Sequence, residues 1–263
     1  MRRPLPLRLL PNRFKETLYY RYYHTRHGDW RGLFETAPLT FAPQIAMHGL
    51  LPGDVISGNI AFTGFYELSL SRRIADLARH RTTFVDVGAN MGYFSLLWAG
   101  VNPNGRAIAF EPAPRNVSII EKNIAANRLT DRITVVAKAA GDRSGTITFD
   151  VGPVDQTGWG GISHAPSSAT IHVPVVRLDR ELPNAPIDVL KIDVEGADTW
   201  VLRGCEGLLK AAQIRLIFFE QHSERMERLG IAESEAQTFL RDLGYECAPL
   251  PGDDRGWTAY PIK

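Results

Sequence analysis

The chain has 263 residues, of which 44% are hydrophobic, enough for one sizeable α/β domain with a full core. A net charge of +1 excludes a global electrostatic attraction to nucleic acid or membranes. The sequence has two cysteines, no apolar run near the roughly 18 residues of a membrane span, and no signal-peptide pattern at its start. We therefore expect a soluble cytoplasmic protein with reduced thiols and no membrane span.

Residues 1–64 are predicted to form a helical and loop extension that precedes a second unit at residues 65–263. Residues 1–36 contain eight Lys or Arg against three Asp or Glu, interleaved with aromatic residues. Such a mixture can bind lipid headgroups or nucleobases, but it more often packs a helix on the domain or on a second subunit. We favour packing and expect no nucleic-acid partner, with a homo-oligomer through the extension as an option. Residues 37–64 predict a loop-rich connector.

A glycine loop follows the buried strand predicted at residues 83–87, and an apolar helix follows the loop from Tyr93. Glycine lets backbone amides approach a ligand, and the helix N-terminus adds unpaired N–H groups. The spacing differs from the G-x-G-x-x-G pattern of dinucleotide sites and favours S-adenosylmethionine over NAD. Asp86, the acidic residue of this pattern, can anchor the ammonium side of S-adenosylmethionine. The cofactor-binding residues predicted here are Asp86, Gly88, Ala89, Asn90 and Gly92.

A second acidic position follows the strand predicted at residues 105–110. Glu111 lies where a nucleotide-binding sheet places the carboxylate that holds the ribose hydroxyls. A plain helix-capping role is the weaker alternative. The sequence therefore predicts Glu111 as a cofactor-binding residue.

A long loop at residues 152–168 separates two β-rich runs, 146–151 and 170–178. Structureless loops of this length inside compact domains are usually functional or disordered. Trp159 lies between glycines and can stack on a sugar or flat acceptor, and His164 can act as a base. We predict Trp159 and His164 as substrate-binding residues.

Two later strands, predicted at residues 189–192 and 214–219, end in acidic and histidine residues. The carboxyl ends of parallel strands form the ligand-binding edge of an open α/β sheet, so these side chains are expected to meet there. The general-base candidates are Glu220 and His222, and His222 is favoured because its ordinary pKa lies near neutrality. The clustered carboxylates could instead hold a divalent cation, although no metal ligand is predicted.

Four motifs in this order resemble the FkbM family of S-adenosylmethionine-dependent methyltransferases. They are Phe84-Val85-Asp86-Val87-Gly88-Ala89-Asn90-Met91-Gly92-Tyr93-Phe94, Ala109-Phe110-Glu111-Pro112, Asn123-Ile124-Ala125-Ala126-Asn127 and Leu190-Lys191-Ile192-Asp193-Val194-Glu195-Gly196. The resemblance covers roughly residues 60–222. It implies an α/β fold: a seven-stranded, mostly parallel Rossmann-like methyltransferase sheet flanked by helices, closed by a C-terminal hairpin.

The resemblance also implies roles for further residues. Ala139 would flank the adenine, and Asp142 could either accept a hydrogen bond from the adenine amino group or be an ordinary turn residue. Asp193 would contact the methionine part of the cofactor, and Glu195 would touch the acceptor as a third catalytic candidate. Thr63, Tyr66 and Glu67 could line the pocket or be ordinary residues at a helix start. The implied reaction is O-methylation of a hydroxyl on a sugar, glycolipid or small natural product. The alternatives are N-methylation of RNA or protein and a non-catalytic nucleotide-binding protein.

Overall fold

The computed structural model describes residues 1–163 and 170–262, which form an α/β structure. Short helices begin the chain, and strands and helices alternate after residue 83. The described strands are β1 (Thr36–Pro38), β2 (Ala46–His48), β3 (Thr83–Val87), β4 (Arg106–Phe110), β5 (Ile133–Val136), β6 (Ala139–Ala140), β7 (Gly145–Asp150), β8 (Gly161–Ile162), β9 (Thr170–Val176), β10 (Val189–Ile192), β11 (Ile217–Glu220), β12 (Tyr245–Pro249) and β13 (Gly256–Pro261).

The described helices surround these strands. They are α1 (Leu5–Leu9), α2 (Asn12–Tyr22), α3 (Arg31–Glu35), α4 (Val55–Thr63), α5 (Leu68–Ala78), α6 (Tyr93–Val101), α7 (Pro114–Ala126), α8 (Leu178–Glu181), α9 (Asp198–Arg203), α10 (Glu206–Lys210), α11 (Ser223–Arg228) and α12 (Glu235–Asp242). A 3₁₀ helix at His27–Trp30 joins α2 to α3.

The central sheet has seven strands in the order β12-β13-β11-β10-β3-β4-β5. Its five strands from β11 to β5 are parallel, and β12 and β13 form an antiparallel hairpin at one edge. This confirms the predicted seven-stranded, mostly parallel sheet. The topology brings the carboxyl ends of β3, β4, β10 and β11 to one edge, where ligands bind in such sheets.

Two apolar layers cover the sheet. Successive side chains of a strand point to opposite faces, so Phe84 stacks on Trp98 of α6 on one face, with ring centroids 5.0 Å apart. Val85 and Val87 pack into the other layer, which α9, α10 and α12 complete. All four side chains are at most 1% exposed. The sequence alternation thus buries both faces, as a parallel sheet requires.

The N-terminal extension packs on the layer that contains Trp98. Leu7, Tyr19 and Phe62 are buried in the same hydrophobic cluster as the helices of the sheet. The loop-rich connector predicted for residues 37–64 was wrong at Val55–Thr63, which forms α4. Asp54 is the N-cap of this helix and accepts a hydrogen bond from the Ser57 N–H (2.7 Å). The division at residue 64 stays a prediction.

A second sheet, in the order β6-β9-β7-β8, lies beside the ligand edge. Its two long strands, β7 and β9, confirm the β-rich runs predicted there. The connection between β7 and β8 includes residues 151–160, here named the cleft loop. Because both ends of the loop belong to paired strands, its position over the edge of the central sheet is fixed.

Candidate functional site

A cleft with a cavity of about 300 Å³ opens at the carboxyl ends of the central strands. Residues from β3, β4, β10, β11, the cleft loop and the segment before α5 form its walls. Ten of the predicted site residues line it: Gly88, Ala89, Asn90, Glu111, Ala139, Trp159, Asp193, Glu195, Glu220 and His222. The sheet topology therefore assembles residues that are up to 134 positions apart in the chain.

The glycine loop after β3 is shaped by close contact with the end of β10. Gly88 has φ +77°, and a Cβ added there would overlap the backbone oxygen of Asp193. Asn90 also lies in the left-handed region, with φ +52°. Its backbone N–H donates to Glu111 Oε2 (2.9 Å). The loop thus fixes the two strand ends and Glu111 relative to one another.

Glu111 is a buried carboxylate at one end of the cleft. The Ala113 N–H donates to Oε1 (2.9 Å), and the Asn116 side-chain amide donates to the same oxygen (3.4 Å). Burial raises the pKa of Glu111 to about 7, although these hydrogen bonds lower it in part. The carboxylate is thus oriented by backbone and amide donors and can accept further hydrogen bonds from a ligand diol.

A buried lysine organises the floor of the cleft. Lys191 Nζ lies 3.2 Å from Asp193 Oδ2 and 3.7 Å from Asp86 Oδ1. Burial alone would lower the pKa of Lys191, but Asp193 and Asp86 raise it above its ordinary value. Burial also raises the pKa of Asp86, whose Oδ2 accepts a hydrogen bond from Ser95 (2.8 Å). The lysine therefore stays charged and holds the Asp193 carboxylate at the ligand edge.

Three more carboxylates, Glu67, Glu195 and Glu220, line the same end of the cleft as Asp193. Burial and the nearby Asp193 raise the pKa of Glu67 and of Glu195 to about 7, and that of Glu220 to about 9. Two arginines oppose this shift. Arg225 lies 3.2 Å from Glu195, and Arg255 lies 2.8 Å from Glu220. We name Glu67, Asp193, Glu195 and Glu220 the acidic row.

His222 precedes α11 and lines the cleft between the two arginine pairs. Burial, followed by Arg255 and Arg225, lowers the pKa of His222. Its imidazole is therefore neutral near pH 7 and can accept a proton. Asp198 lies beneath it, where the Glu220 N–H donates to Asp198 Oδ1 (3.1 Å) and links β11 to α9.

The cleft loop is held over the cleft from two sides. Arg115 of α7 donates to the backbone oxygens of Val151 (3.3 Å), Pro153 (2.9 Å), Val154 (2.9 Å) and Gln156 (3.0 Å). On the other side, the Thr157 N–H donates to the carboxylate of Asp54 (2.8 Å), whose second oxygen caps α4. Trp159, at 59% exposed, extends beyond these anchors at the cleft mouth.

Three predicted cofactor residues lie outside the cleft wall. Asp86 is fully buried behind it and contacts it through Lys191. Gly92 packs on Ile120 of α7, and Asp142 lies beyond β6, where its backbone oxygen accepts a hydrogen bond from Arg177. His164 lies outside the described residues. The roles assigned to these residues stay predictions.

Several cleft residues carried no local signal in the sequence. Arg225 and Arg255 follow no motif, and Arg115 resembles any surface residue of a helix. Asp54 could have been found, because an Asp three residues before a Ser and a hydrophobic run is typical of a helix start. Glu67 has φ +47°, an uncommon backbone conformation that only coordinates reveal.

The fold and the cleft agree with a comparison against known families. Residues 86–247 match the family model described as Methyltransferase FkbM domain. The chain belongs to the FkbM methyltransferase family. The match spans the glycine loop and three members of the acidic row, Asp193, Glu195 and Glu220. Other residues that line the cleft, Glu67 and Arg255 among them, lie outside the matched range. The resemblance inferred from the four motifs is confirmed.

Individual relatives are more distant. The chain is 26% identical over 165 residues to methyltransferase sdnD of Sordaria araneosa, across 46% of this chain and 60% of that protein. It is 28% identical over 223 residues to the AMB antimetabolite synthetase AmbE of Pseudomonas aeruginosa, across 68% of this chain and 10% of that protein. The chain thus spans less than two thirds of the length of these relatives.

A solved structure supports the fold. The crystal structure of methyltransferase FkbM from Methylobacillus flagellatus KT superposes with a TM-score of 0.50 at 16% identity, over 77% of this chain and 52% of that one. No helix within residues 1–163 and 170–262 is long and apolar enough to cross a membrane. Among the same residues, no group of three or more His, Cys, Asp and Glu side chains could hold a metal ion.

Proposed function

We propose that this FkbM-family methyltransferase uses S-adenosylmethionine to methylate a hydroxyl on a sugar, glycolipid or small natural product. The observation that carries the proposal is the polarity of the cleft. Glu111 provides a buried acceptor for a ribose diol at one end, and the Asp193 carboxylate, held by Lys191, provides an acceptor for a cationic group at the other. A ligand with a nucleoside at one end and cationic sulfonium and ammonium groups at the other is complementary to this arrangement.

The cofactor fits the donors and acceptors of the cleft. Asn90 Oδ1 and Asn116 Oδ1 are buried and have no hydrogen-bond partner within the described part of the chain. Buried polar atoms are nearly always paired, so both are candidates to accept from the nucleoside. Glu111, Asn90 and Asn116 would then hold the nucleoside, and Asp193 would hold the ammonium group.

When bound, S-adenosylmethionine supplies an electrophilic methyl group for an in-line displacement. The chain must align an acceptor hydroxyl, exclude water and remove a proton. His222 is the favoured base because it is neutral near pH 7, whereas the raised pKa of Glu220 keeps that carboxyl protonated there. Glu195 can accept a hydrogen bond from the acceptor, and the cleft loop covers the reacting atoms.

The acceptor side has the composition of a carbohydrate site. Planar polar groups suited to ring hydroxyls, from Glu195, His222 and Arg225, line the same cleft as the exposed Trp159. An indole can stack on the apolar face of a sugar, and carboxylate and guanidinium groups can bind neighbouring hydroxyls in a bidentate manner. These features favour a hydroxylated acceptor.

An amine acceptor is the second candidate, because the acidic row would also attract a cationic amine. Such an acceptor must lose its proton before it reacts, and His222 could remove it. N-methylation of a small amine or aminosugar would use the same residues. The product distinguishes the two candidates.

The first experiment is calorimetric titration with S-adenosylmethionine, S-adenosylhomocysteine and NADH. We expect micromolar binding of the two sulfur compounds and none of NADH, with binding weakened at least tenfold in Glu111→Gln. Isotopically labelled methyl transfer to matched panels of sugars and aminosugars, read by mass spectrometry, then identifies the methylated atom. Absence of binding by either sulfur compound would refute the cofactor, and methyl transfer to nitrogen alone would refute O-methylation.

A further inference from the structure

The N-terminal segment carries a basic surface that the site does not use. Residues 1–28 contain seven Lys or Arg and one Glu, whereas the other 235 residues contain 23 Lys or Arg and 28 Asp or Glu. The balanced charge of the whole chain therefore hides a strongly positive end. Five of these cations, Arg2, Arg8, Arg13, Arg21 and Arg26, are exposed, and none of them forms a salt bridge with a carboxylate of residues 1–163 or 170–262.

Large apolar side chains are exposed on the same segment. Leu5 is 58% and Leu9 is 74% exposed, and the spacing of four residues puts them on one face of α1, opposite the buried Leu7. Phe14 at the start of α2 is 46% exposed, next to Arg13. Exposed leucines are normally scattered singly. Here they alternate with exposed arginines along two consecutive helices, and the Arg13 guanidinium lies over the Phe14 ring, 4.7 Å from its centroid.

We propose that this surface, formed by the exposed faces of α1 and α2, docks the protein on an anionic lipid surface. Leucine and phenylalanine side chains bury into the interfacial region of a bilayer, and arginines bind the phosphate groups above it. Both components are exposed here, and the arginines have no carboxylate partner within residues 1–163 and 170–262, so the mixture matches that chemistry. A nucleic acid would pair the arginines but leave Leu5 and Leu9 in water.

The charge also disfavours a second copy of the chain on this surface. A two-fold interface places the same patch on both subunits. It would therefore bring the arginines of one subunit against those of its partner, without acidic residues to neutralise them. An anionic surface meets no such repulsion.

The surface is joined to the cleft by α4. Tyr20 of α2 accepts a hydrogen bond from the side-chain amide of Asn59 (2.7 Å), and the same amide donates to the backbone oxygen of Val55 (3.0 Å). Val55 and Ile56 line the cleft. A lipid surface bound to α1 and α2 would thus lie against helices that pack on α4, and α4 begins at the cleft.

Vesicle co-sedimentation of the full chain tests the proposal. We expect binding to phosphatidylcholine vesicles that contain phosphatidylglycerol, no binding to phosphatidylcholine alone, and release at high salt. The triple variant Arg8→Gln, Arg13→Gln, Arg21→Gln should lose about 100-fold in affinity, at about fivefold for each arginine. Leu5→Ser with Leu9→Ser should lose roughly tenfold at the same salt.

The matched control removes three exposed arginines elsewhere, in Arg72→Gln, Arg73→Gln, Arg143→Gln. This variant should bind within about twofold of the wild type, because its charge change is the same but lies outside the surface. Circular dichroism and melting temperature exclude unfolding in each variant.

Three outcomes for vesicle binding would overturn the proposal. They are an equal loss of affinity in the control variant, equal binding to both vesicle types, and a dimer that the leucine substitutions dissociate. Tighter binding to single-stranded RNA than to vesicles would also overturn it. None of these outcomes depends on the cofactor assignment.

Discussion

Gly88→Ala tests whether the cleft depends on close backbone contact between β3 and β10. The substitution has two separable costs. A non-glycine residue at φ +77° costs roughly 1–2 kcal/mol of folding free energy. The new Cβ would also overlap the backbone oxygen of Asp193, and a backbone shift to relieve such overpacking costs typically about 1–3 kcal/mol more.

Gly244→Ala is the matched control. Gly244 has φ +80°, nearly the same as Gly88, and a Cβ added there would meet nothing within 4 Å. It should therefore carry the conformational cost alone. For a chain of this size, about 1 kcal/mol lowers the melting temperature by roughly 2–4 °C. We expect a decrease of roughly 2–8 °C for Gly244→Ala and of roughly 4–20 °C for Gly88→Ala, with the difference due to the overlap.

Differential scanning calorimetry measures both variants, and titration with S-adenosylhomocysteine measures the site. Gly88→Ala should lose most of its affinity because the shift moves Asp193, whereas Gly244→Ala should bind as the wild type. Equal melting temperatures for the two variants would refute the argument that close approach, rather than φ, selects glycine at residue 88. Retained affinity in Gly88→Ala would refute its connection to the cleft.

Three further substitutions test the electrostatics and the cleft loop. The pKa of Glu111 is raised to about 7 from about 4.3, so its contribution to apoprotein stability is present below pH 4 and falls as pH rises through 7. The wild type should lose about 3 kcal/mol of unfolding free energy between pH 4 and 8 through Glu111, and the Glu111→Gln variant should not show this loss in urea unfolding. An unchanged pH profile in the variant would contradict this. Lys191→Met should destabilise the protein by about 3–5 kcal/mol because it leaves Asp86 unpaired, and Asp86→Asn in the same chain should restore part of that loss. An additive double-mutant cycle would show that the two residues are not coupled. Arg115→Met should release the cleft loop, so that limited chymotrypsin digestion cleaves after Trp159 several-fold faster. Arg128→Met is the control on exposed surface, and equal cleavage rates in the two variants would count against the anchor.

Much of the fold was predictable because local patterns and global topology agree. The buried strands at residues 83–87 and 189–192 have the predicted bounds, since β-branched runs bounded by turn residues have few alternatives in a parallel sheet. The glycine loop and Glu111 were found because their spacing follows from the geometry of one strand, turn and helix. Sequence reasoning failed at α4, where Gly and Pro flank a helix whose capping residue, Asp54, was overlooked.

The cleft was less predictable where its residues act through distant contacts. Arg115 holds four carbonyl oxygens of a loop more than 30 residues away, and no local pattern encodes such an interaction. The position of Asp86 shows the opposite problem. Its spacing predicts that it anchors the cofactor, directly or through water, and the structure adds that the side chain is buried behind the cleft wall and paired with Lys191. A motif fixes which residue ends a strand but not which face of the strand it occupies relative to the cavity.

The charge distribution carries information that the net charge conceals. Residues 1–28 are basic, whereas the cleft is lined by six carboxyl groups and four cationic side chains: Asp54, Glu67, Glu111, Asp193, Glu195 and Glu220, and Lys138, Lys191, Arg225 and Arg255. The two proposed partners are accordingly separate: S-adenosylmethionine would bind in the cleft, where Asp193 would hold its ammonium group, and an anionic lipid surface would bind α1 and α2. If the acidic row were instead exposed beside the basic end, the two would pair and neither would attract a ligand. α2 packs on α4, which keeps the basic surface and the cleft joined but distinct. This packing therefore allows one chain of nearly zero net charge to carry both regions.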